Sequence, residues 1–337
     1  MKWTAELLFN HLKDVTLGGS ICVYTLDICE TLVPKINAIM KLKKEKNAIV
    51  LAHSYVVPEI IKTVSDFTGD SYELSKKAKD SSADIIIFSA VKFMAETAKL
   101  INPNKDVYIP SDLNGCSLAD SITGDDVKQL RKKYPDYTFV CYINTTVDVK
   151  AECDVCVTSS NVYSIVESLP NKNIYFLPDK LMGQNLKNEL KKRGSDKNIL
   201  FSEGTCYVHE EYHPDMIDFI RLKHDDVSIL AHPECSEDII SKVDFTGSTS
   251  QMVNYVNQSP KSKFFMLTEC GLTSRMQADS PKKSFVGTCT MCKYMKSNSL
   301  DDILNTLENL PEHKKISIPK STQEKALNCI NKMFELA

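Results

Sequence analysis

Short apolar segments alternate with helix-period segments along the whole chain of 337 residues. The apolar segments are four to seven residues long, which is typical of strands buried on both faces. This alternation predicts βα units with parallel sheets, and therefore an α/β fold. The predicted strands are residues 48–52, 84–89, 106–109, 137–143, 154–158, 173–177, 227–231 and 263–267.

Three of these strands end in polar side chains at nearly equal intervals. His53, Tyr142 and His232 are 89 and 90 residues apart. Residues two apart on a strand share a face, so a second polar side chain points the same way as each of them. These second residues are Tyr55, Asn144 and Glu234.

Two further markers recur in the same order. Each third of the chain has a hydroxyl-bearing turn before a helix, and each third closes on a cysteine in a loop of small residues. The hydroxyl residues are Ser71, Ser159 and Thr249. The cysteines are Cys116, Cys206 and Cys292, which are 90 and 86 residues apart.

These recurring markers predict three similar αβα (Rossmann-like) domains with parallel sheets, in a pseudo-threefold arrangement around a central active site. We predict domains at 30–118, 119–204 and 205–292, with the terminal segments 1–29 and 293–337 packed on the first domain. The alternative is an α/β protein whose strands are only semi-regularly spaced.

Charge and hydropathy exclude several classes of protein. With 41 basic and 44 acidic side chains the formal net charge is −3, so we expect no nucleic-acid partner and no anionic membrane partner. Apolar stretches such as 83–91 are too short to span a bilayer. The N-terminus lacks the uninterrupted apolar centre of a secretory signal. We therefore expect a cytoplasmic protein.

The chain has twelve cysteines. A chain of this length can bury a sufficient core without disulfide bonds, so the cysteines are expected to be buried thiols or metal ligands. Two CxxC pairs, Cys153 with Cys156 and Cys289 with Cys292, permit a four-thiolate zinc site, but the 133 residues between the pairs make zinc the minor alternative. We expect core thiols at Cys22, Cys29, Cys141, Cys235, Cys270 and Cys329.

One cysteine per repeat fits a [4Fe-4S] cluster held by Cys116, Cys206 and Cys292. Such clusters normally take four thiolates, so three leave one iron open as a Lewis acid. The strand-end residues, together with His209, would supply general acids and bases beside it. The hydroxyl turns predict anion binding, with plain helix capping as the alternative.

The sequence resembles the quinolinate synthase family. The resemblance covers about 47–310 and rests on motifs that occur in one order. They include Ala52-His53-Ser54-Tyr55, Phe93-Met94-Ala95-Glu96-Thr97-Ala98, Gly115-Cys116-Ser117-Leu118-Ala119-Asp120, Tyr142-Ile143-Asn144-Thr145, Cys206-Tyr207-Val208-His209 and His232-Pro233-Glu234-Cys235. Val56 departs from the usual family pattern, which has Gln there.

The resemblance implies a carbon–carbon-bond-forming transferase of NAD biosynthesis that uses a [4Fe-4S] cluster. Its substrates would be iminoaspartate and dihydroxyacetone phosphate, and its products quinolinate, phosphate and water. It implies cluster ligands at Cys116, Cys206 and Cys292, and substrate-site residues at His53, Tyr55, Ser71, Tyr142, Asn144, Ser159, His209, His232, Glu234 and Thr249.

We also expect particular acid–base roles for the residues of this site. Glu234 is the expected general base, and Tyr142, Tyr55, His53, His232 and His209 are the expected orienting and proton-donating residues. Cys289 is a candidate disulfide partner of Cys292. Transient contact with an L-aspartate oxidase is expected because iminoaspartate hydrolyses readily. The alternatives are an aconitase-like iron–sulfur hydro-lyase and a non-catalytic iron–sulfur or zinc redox sensor.

Overall fold

The computed structural model describes residues 2–17 and 21–337 and contains three parallel four-stranded sheets with flanking helices. The predicted α/β fold is therefore confirmed. A short antiparallel pair, β1 and β2, precedes the sheets. The strands are β1 Thr16–Leu17, β2 Ile21–Cys22, β3 Ala48–His53, β4 Phe67–Gly69, β5 Ile85–Ser89, β6 Asp106–Tyr108, β7 Thr138–Tyr142, β8 Val155–Val157, β9 Asn173–Leu177, β10 Asn198–Phe201, β11 Ser228–Ala231, β12 Phe245–Thr246, β13 Lys263–Leu267 and β14 Ser284–Phe285.

Helices follow most of these strands. They are α1 Ala5–Leu12, α2 Leu26–Glu45, α3 Ser71–Asp80, α4 Lys92–Ile101, α5 Gly124–Lys133, α6 Val147–Ala151, α7 Val162–Ser168, α8 Lys180–Lys192, α9 Tyr207–Glu210, α10 Asp215–Lys223, α11 Glu237–Ile240, α12 Thr249–Gln258, α13 Cys270–Asp279, α14 Lys293–Lys296, α15 Leu300–Asn309 and α16 Lys320–Leu336. A π-helical turn at Ile60–Val64 and 3-10 turns at Ala119–Ser121 and Glu312–Lys314 complete the set.

The three sheets share one strand order. They read β4-β3-β5-β6, β8-β7-β9-β10 and β12-β11-β13-β14. In every sheet the first strand in the chain pairs with the second on one side and with the third on the other. The order therefore reverses between the first and third strands, which is where open α/β sheets bind ligands, beyond the carboxyl ends of the strands.

The strands are apolar along their length because both faces are covered. Val50 and Leu51 in the first sheet, Phe139 and Val140 in the second and Leu230 in the third are fully buried. Polar residues that line the cavity come at or beyond the carboxyl ends, as His53, Tyr142 and His232 do. This polarity change places the chemistry-bearing side chains at one end of each sheet.

The two C-terminal helices pack on different parts of the molecule. Helix α15 lies against α2 and β5 of the first sheet. Helix α16 instead lies mainly against α6 and β8 of the second sheet. The prediction that the whole tail packs on the first domain therefore does not hold for α16. The domain boundaries themselves stay a prediction.

No helix in the two described ranges, 2–17 and 21–337, is long and apolar enough to cross a membrane.

The first and third sheets meet closely at Gly271, in the first turn of α13. A Cβ atom at this position would come within 2.5 Å of the Tyr55 Cα atom, and the obstacle is backbone that cannot rotate away. Only glycine allows α13 to approach the strand-end segment that carries Tyr55.

We expect Gly271→Ala to lower the free energy of unfolding by about 1–3 kcal/mol, because overpacking forces the backbone to shift. Urea denaturation measures the change. Thr273→Ala, at a half-buried position on the same helix, is the matched control and should change stability by less than about 0.5 kcal/mol. Equal stability of Gly271→Ala and wild type would contradict the close approach.

Candidate active site

One cavity lies where the carboxyl ends of the three sheets meet. All thirteen residues selected from the sequence line it, and each sheet contributes some of them. They are His53, Tyr55, Ser71, Cys116, Tyr142, Asn144, Ser159, Cys206, His209, His232, Glu234, Thr249 and Cys292. Their individual roles stay predictions.

The Glu234 carboxylate is the centre of the hydrogen-bond network. It accepts a 2.7 Å hydrogen bond from the Tyr142 hydroxyl, and its other oxygen lies 3.0 Å from His209 Nδ1. The His232 Nδ1 atom lies 3.5 Å from the first oxygen, and the His209 and His232 rings stack with centroids 4.8 Å apart. Each of these side chains is no more than 4% exposed, so the polar groups satisfy one another.

This network sets which groups are charged. Burial alone would raise the pKa of Glu234, but the neighbouring histidines and the hydrogen bonds from His209 and Tyr142 lower it to about 2. Burial lowers the pKa of His232 to about 3, and burial next to Arg275 lowers that of His53 to about 3. At neutral pH the site therefore holds a buried carboxylate beside two uncharged imidazoles.

A second chain of hydrogen bonds connects the first and third sheets. The Tyr55 hydroxyl lies 3.0 Å from Thr249 Oγ1 and 2.8 Å from Thr268 Oγ1. Thr268 in turn lies 3.1 Å from His209 Nε2. Burial raises the pKa of Tyr55 well above its usual value, so this phenol stays protonated. The chain links Tyr55 to His209 and thus to Glu234.

The hydroxyl residues are not the helix caps. Asp70 caps α3 by accepting hydrogen bonds from Tyr72 and Glu73, and Ser248 caps α12 through Gln251. Ser71 and Thr249 are the first residues of their helices, and Ser159 lies three residues before α7. Because neighbouring residues do the capping of α3 and α12, the capping alternative is wrong for Ser71 and Thr249, whose positions line the cavity.

The three predicted cysteine ligands sit at the starts of short helical turns. Cys206 and Cys292 immediately precede α9 and α14, and Cys116 precedes the turn at Ala119–Ser121. Backbone N–H groups two or three residues further on point at each sulfur, a geometry that stabilises a thiolate. Burial nevertheless raises the pKa of Cys116 to about 12, so the thiols need a cation to ionise.

One cysteine pairing differs from the prediction. Cys289 forms a disulfide with Cys270 and leaves Cys292 free. The expected Cys289–Cys292 pairing is therefore wrong, and so is the expectation that Cys270 is a core thiol. The pairing arises because Glu269 and Thr290 form a parallel bridge that brings their neighbours Cys270 and Cys289 together.

The remaining cysteines follow the predicted sorting. Cys29, Cys141, Cys235 and Cys329 are buried, as are Cys153 and Cys156. The side chain of Cys22 lies outside the described residues. Since Cys289 is in a disulfide and Cys292 lines the cavity, the zinc site built from the two CxxC pairs is wrong.

Three residues at this site were missed by the sequence analysis, namely Thr268, Glu269 and Lys296. Glu269 accepts hydrogen bonds from the Cys292 N–H (3.0 Å) and the Gly271 N–H (2.6 Å), and its carboxylate lies 2.9 Å from Lys296 Nζ. Lys296 also donates to the Tyr55 carbonyl at 2.5 Å. The pair therefore fixes the Cys292 loop against the first sheet.

A signal for Glu269 exists in the repeat. The third strand of the second sheet runs into Leu177-Pro178-Asp179, and that of the third sheet into Leu267-Thr268-Glu269. Asp179 forms a parallel bridge with Gly204, just as Glu269 does with Thr290. Both acids therefore lie beside a loop that leads to a cavity cysteine. Comparing the third strands of the repeats would have found both acids.

Comparison with known proteins gives one consistent result. The family described as "Quinolinate synthetase A protein" matches residues 37–335. A protein named quinolinate synthase 2 from Mesorhizobium japonicum is 43% identical over 81% of this chain and 83% of its own length. Quinolinate synthases from Sinorhizobium fredii and Aquifex aeolicus are each 40% identical, over 98% and 89% of this chain and 88% and 93% of their own lengths.

The Tyr142–Glu234 hydrogen bond should contribute to the free energy of unfolding. A double-mutant cycle of Tyr142→Phe and Glu234→Gln measures the coupling energy between the two side chains. At pH 7 we expect a coupling energy of about 1.5–3 kcal/mol, typical of a bond to a charged group. The pKa of Glu234 is lowered from 4.5 to about 2. The contribution of the Glu234 charge to the free energy of unfolding is therefore fully present above pH 4.5 and is lost as the pH falls through 2.

Urea titrations of the four proteins at several pH values measure this coupling. A coupling energy near zero at pH 7, or one that grows as the solution is acidified, would contradict an ionised Glu234 held by Tyr142.

Proposed function

Because the chain belongs to the quinolinate synthetase A family of NAD-biosynthesis enzymes, we propose that the three-sheet cavity condenses iminoaspartate with dihydroxyacetone phosphate. The products are quinolinate, phosphate and water. The observation that carries the proposal is the convergence in one cavity of three cysteines, a buried carboxylate with its histidine and tyrosine partners, and three hydroxyl residues.

We propose that Cys116, Cys206 and Cys292 hold a [4Fe-4S] cluster. Of the cysteines that the structure describes, only these three line the cavity, and each sulfur faces backbone N–H groups. Three thiolates at a [4Fe-4S] cluster leave one iron without a protein sulfur, and such a cluster supplies Lewis acidity. The donor set therefore fits the group that the family implies.

The chain's own residues would manage the protons. Glu234 is ionised and is the proposed acceptor of a proton from a substrate carbon, and His209, 3.0 Å away, can accept or return that proton. Tyr142 and Tyr55 are protonated phenols that can donate to departing hydroxyl groups. His53 and His232, both uncharged, would orient the substrate.

Anionic groups of the substrates have candidate partners on all three domains. Ser71, Ser159 and Thr249 line the cavity, and Asn144 lies beside them. Asp70 and Ser248 cap helices α3 and α12, so neither Ser71 nor Thr249 is used as a cap, although the Thr249 hydroxyl also lies 3.0 Å from that of Tyr55. We propose that this set binds the phosphate and the carboxylates.

We further propose that the enzyme works in the cytoplasm and receives iminoaspartate from an L-aspartate oxidase. The reason is chemical, since an imine in water hydrolyses readily. Adding such an oxidase with aspartate should support more quinolinate formation than an equal flux of free iminoaspartate.

The acid–base assignment predicts the behaviour of Glu234→Gln. After anaerobic purification, this variant should keep its iron and sulfide content but form quinolinate at least about 10²-fold more slowly, the loss typical of removing a general base. Glu237→Gln, at an exposed carboxylate three residues away, is the matched control and should retain full activity.

Quinolinate is measured in this test by chromatography with iminoaspartate and dihydroxyacetone phosphate as substrates. Full activity of Glu234→Gln would remove Glu234 from the mechanism. Simple dehydration without condensation would favour the aconitase-like hydro-lyase instead.

The ligand assignment predicts that Cys116→Ser, Cys206→Ser and Cys292→Ser each lose most of their iron, their sulfide and the visible absorption of the cluster. Cys235→Ser is the control, because Cys235 is buried and its thiol donates to the Leu267 carbonyl outside the cavity. A cluster that survives in any of the three single variants, or is lost in Cys235→Ser, would contradict the assignment.

A further inference from the structure

The first CxxC pair lies in a cluster of four thiols away from the active-site cavity. Cys141, Cys153, Cys156 and Cys329 are all buried, the most exposed of them by 8%. None of the four lines the cavity that holds Cys116, Cys206 and Cys292. We call these four residues the second-sheet thiol cluster.

Strand register and helix packing bring the four together. Cys141 on β7 and Cys156 on β8 are paired residues of neighbouring parallel strands, so their side chains lie on the same face of the second sheet. Cys153 lies three residues before Cys156, just after α6. Cys329 belongs to α16, the helix that packs over α6 and β8. The cluster therefore lies between the second sheet and the C-terminal helix.

Cys141 is the centre of the cluster. Its sulfur lies 3.6 Å from that of Cys329, and it also interacts with the thiols of Cys153 and Cys156. A tetrahedral ion with Zn–S bonds of about 2.3 Å separates its sulfurs by about 3.8 Å. The Cys141–Cys329 separation already matches that distance.

The other sulfurs are more loosely placed. Among the described residues, three ligand atoms within 4.8 Å of one another are found at Cys206, His209 and Glu234 and not at any three sulfurs of the second-sheet thiol cluster. At least two sulfurs of the second-sheet thiol cluster must therefore move toward the others when an ion binds, because no three of the four are already within 4.8 Å of one another. Rotation about a cysteine Cα–Cβ bond moves the sulfur without moving the backbone.

Two cations are placed to compensate the charge of bound thiolates. Lys150 is 1% exposed and interacts electrostatically with Cys141 and Cys156. Arg131 interacts in the same way with Cys153. A divalent ion with four thiolates carries a net charge of −2, and two nearby cations reduce the cost of burying it. Both cations also have partners of their own, since Lys150 donates to the Ile143 carbonyl and Arg131 donates to the Asp154 carboxylate.

We propose that Cys141, Cys153, Cys156 and Cys329 form a tetrathiolate site for one Zn²⁺ ion, which ties α16 to the second sheet. Binding replaces four S–H bonds by four Zn–S bonds and releases four protons to solvent, with no change of oxidation state. A sulfur pair 3.6 Å apart leaves room for a single ion rather than a multi-iron cluster. Tetrahedral four-sulfur coordination is typical of zinc.

Metal analysis of the full-length protein, expressed with added zinc and purified anaerobically, tests the proposal. We expect about one zinc per chain in the wild type, in the triple Cys116→Ser/Cys206→Ser/Cys292→Ser variant and in the buried-thiol control Cys235→Ser. We expect at least a tenfold lower zinc content in Cys329→Ser and in Cys153→Ser, with iron content and quinolinate formation retained.

Cobalt supplies a second, spectroscopic readout, and the triple cavity variant shows whether the bands come from the second-sheet thiol cluster. Co²⁺ added to the metal-stripped wild type should give thiolate-to-cobalt charge-transfer bands and the d–d bands of tetrahedral coordination. These bands should persist in the triple cavity variant. Zinc below about 0.1 per chain in the wild type, together with no such bands, would show four core thiols and overturn the proposal. Zinc retained by Cys329→Ser, or stoichiometric iron at the four thiols, would overturn it as well.

Discussion

The direction of the strands is the constraint on which the rest of the structure depends. In a parallel sheet all carboxyl ends lie at one edge, so polar residues that follow the strands are collected there. Three sheets with the same strand order place three such edges around one cavity. His53, Tyr142 and His232 come from different thirds of the chain and meet because each lies at, or directly after, the carboxyl end of the first strand of its sheet.

The hydrogen bonds of the cavity also hold the three domains together. Tyr142 of the second sheet donates to Glu234 of the third, and Tyr55 of the first sheet bonds to Thr249 and Thr268 of the third. A buried polar group is costly unless it is paired, so each domain satisfies groups of another. The same hydrogen bonds therefore complete the site and connect the domains.

Strand period and marker spacing can be read directly from the sequence, so eight of the strands and twelve of the thirteen cavity residues were predictable from them. His209 was chosen separately, because it follows Cys206 by three residues. The Cys270–Cys289 disulfide was not predictable, since it depends on the bridge between Glu269 and Thr290. The position of α16 was missed for a related reason. A helical pattern shows that one face is buried, but it does not show which sheet covers that face. Thr268 was missed because its hydroxyl contacts are made with Tyr55 and His209, which are distant from it in the sequence.

Position relative to the strand ends explains how one residue type serves different purposes here. Cys116, Cys206 and Cys292 lie in loops beyond strands, where backbone N–H groups face their sulfurs and the cavity is open to ligands. Cys141 and Cys156 lie within strands, so their side chains project from the face of the sheet toward a helix. A parallel sheet thus separates thiols that face the cavity from thiols that face the core, and strand geometry keeps the two groups apart.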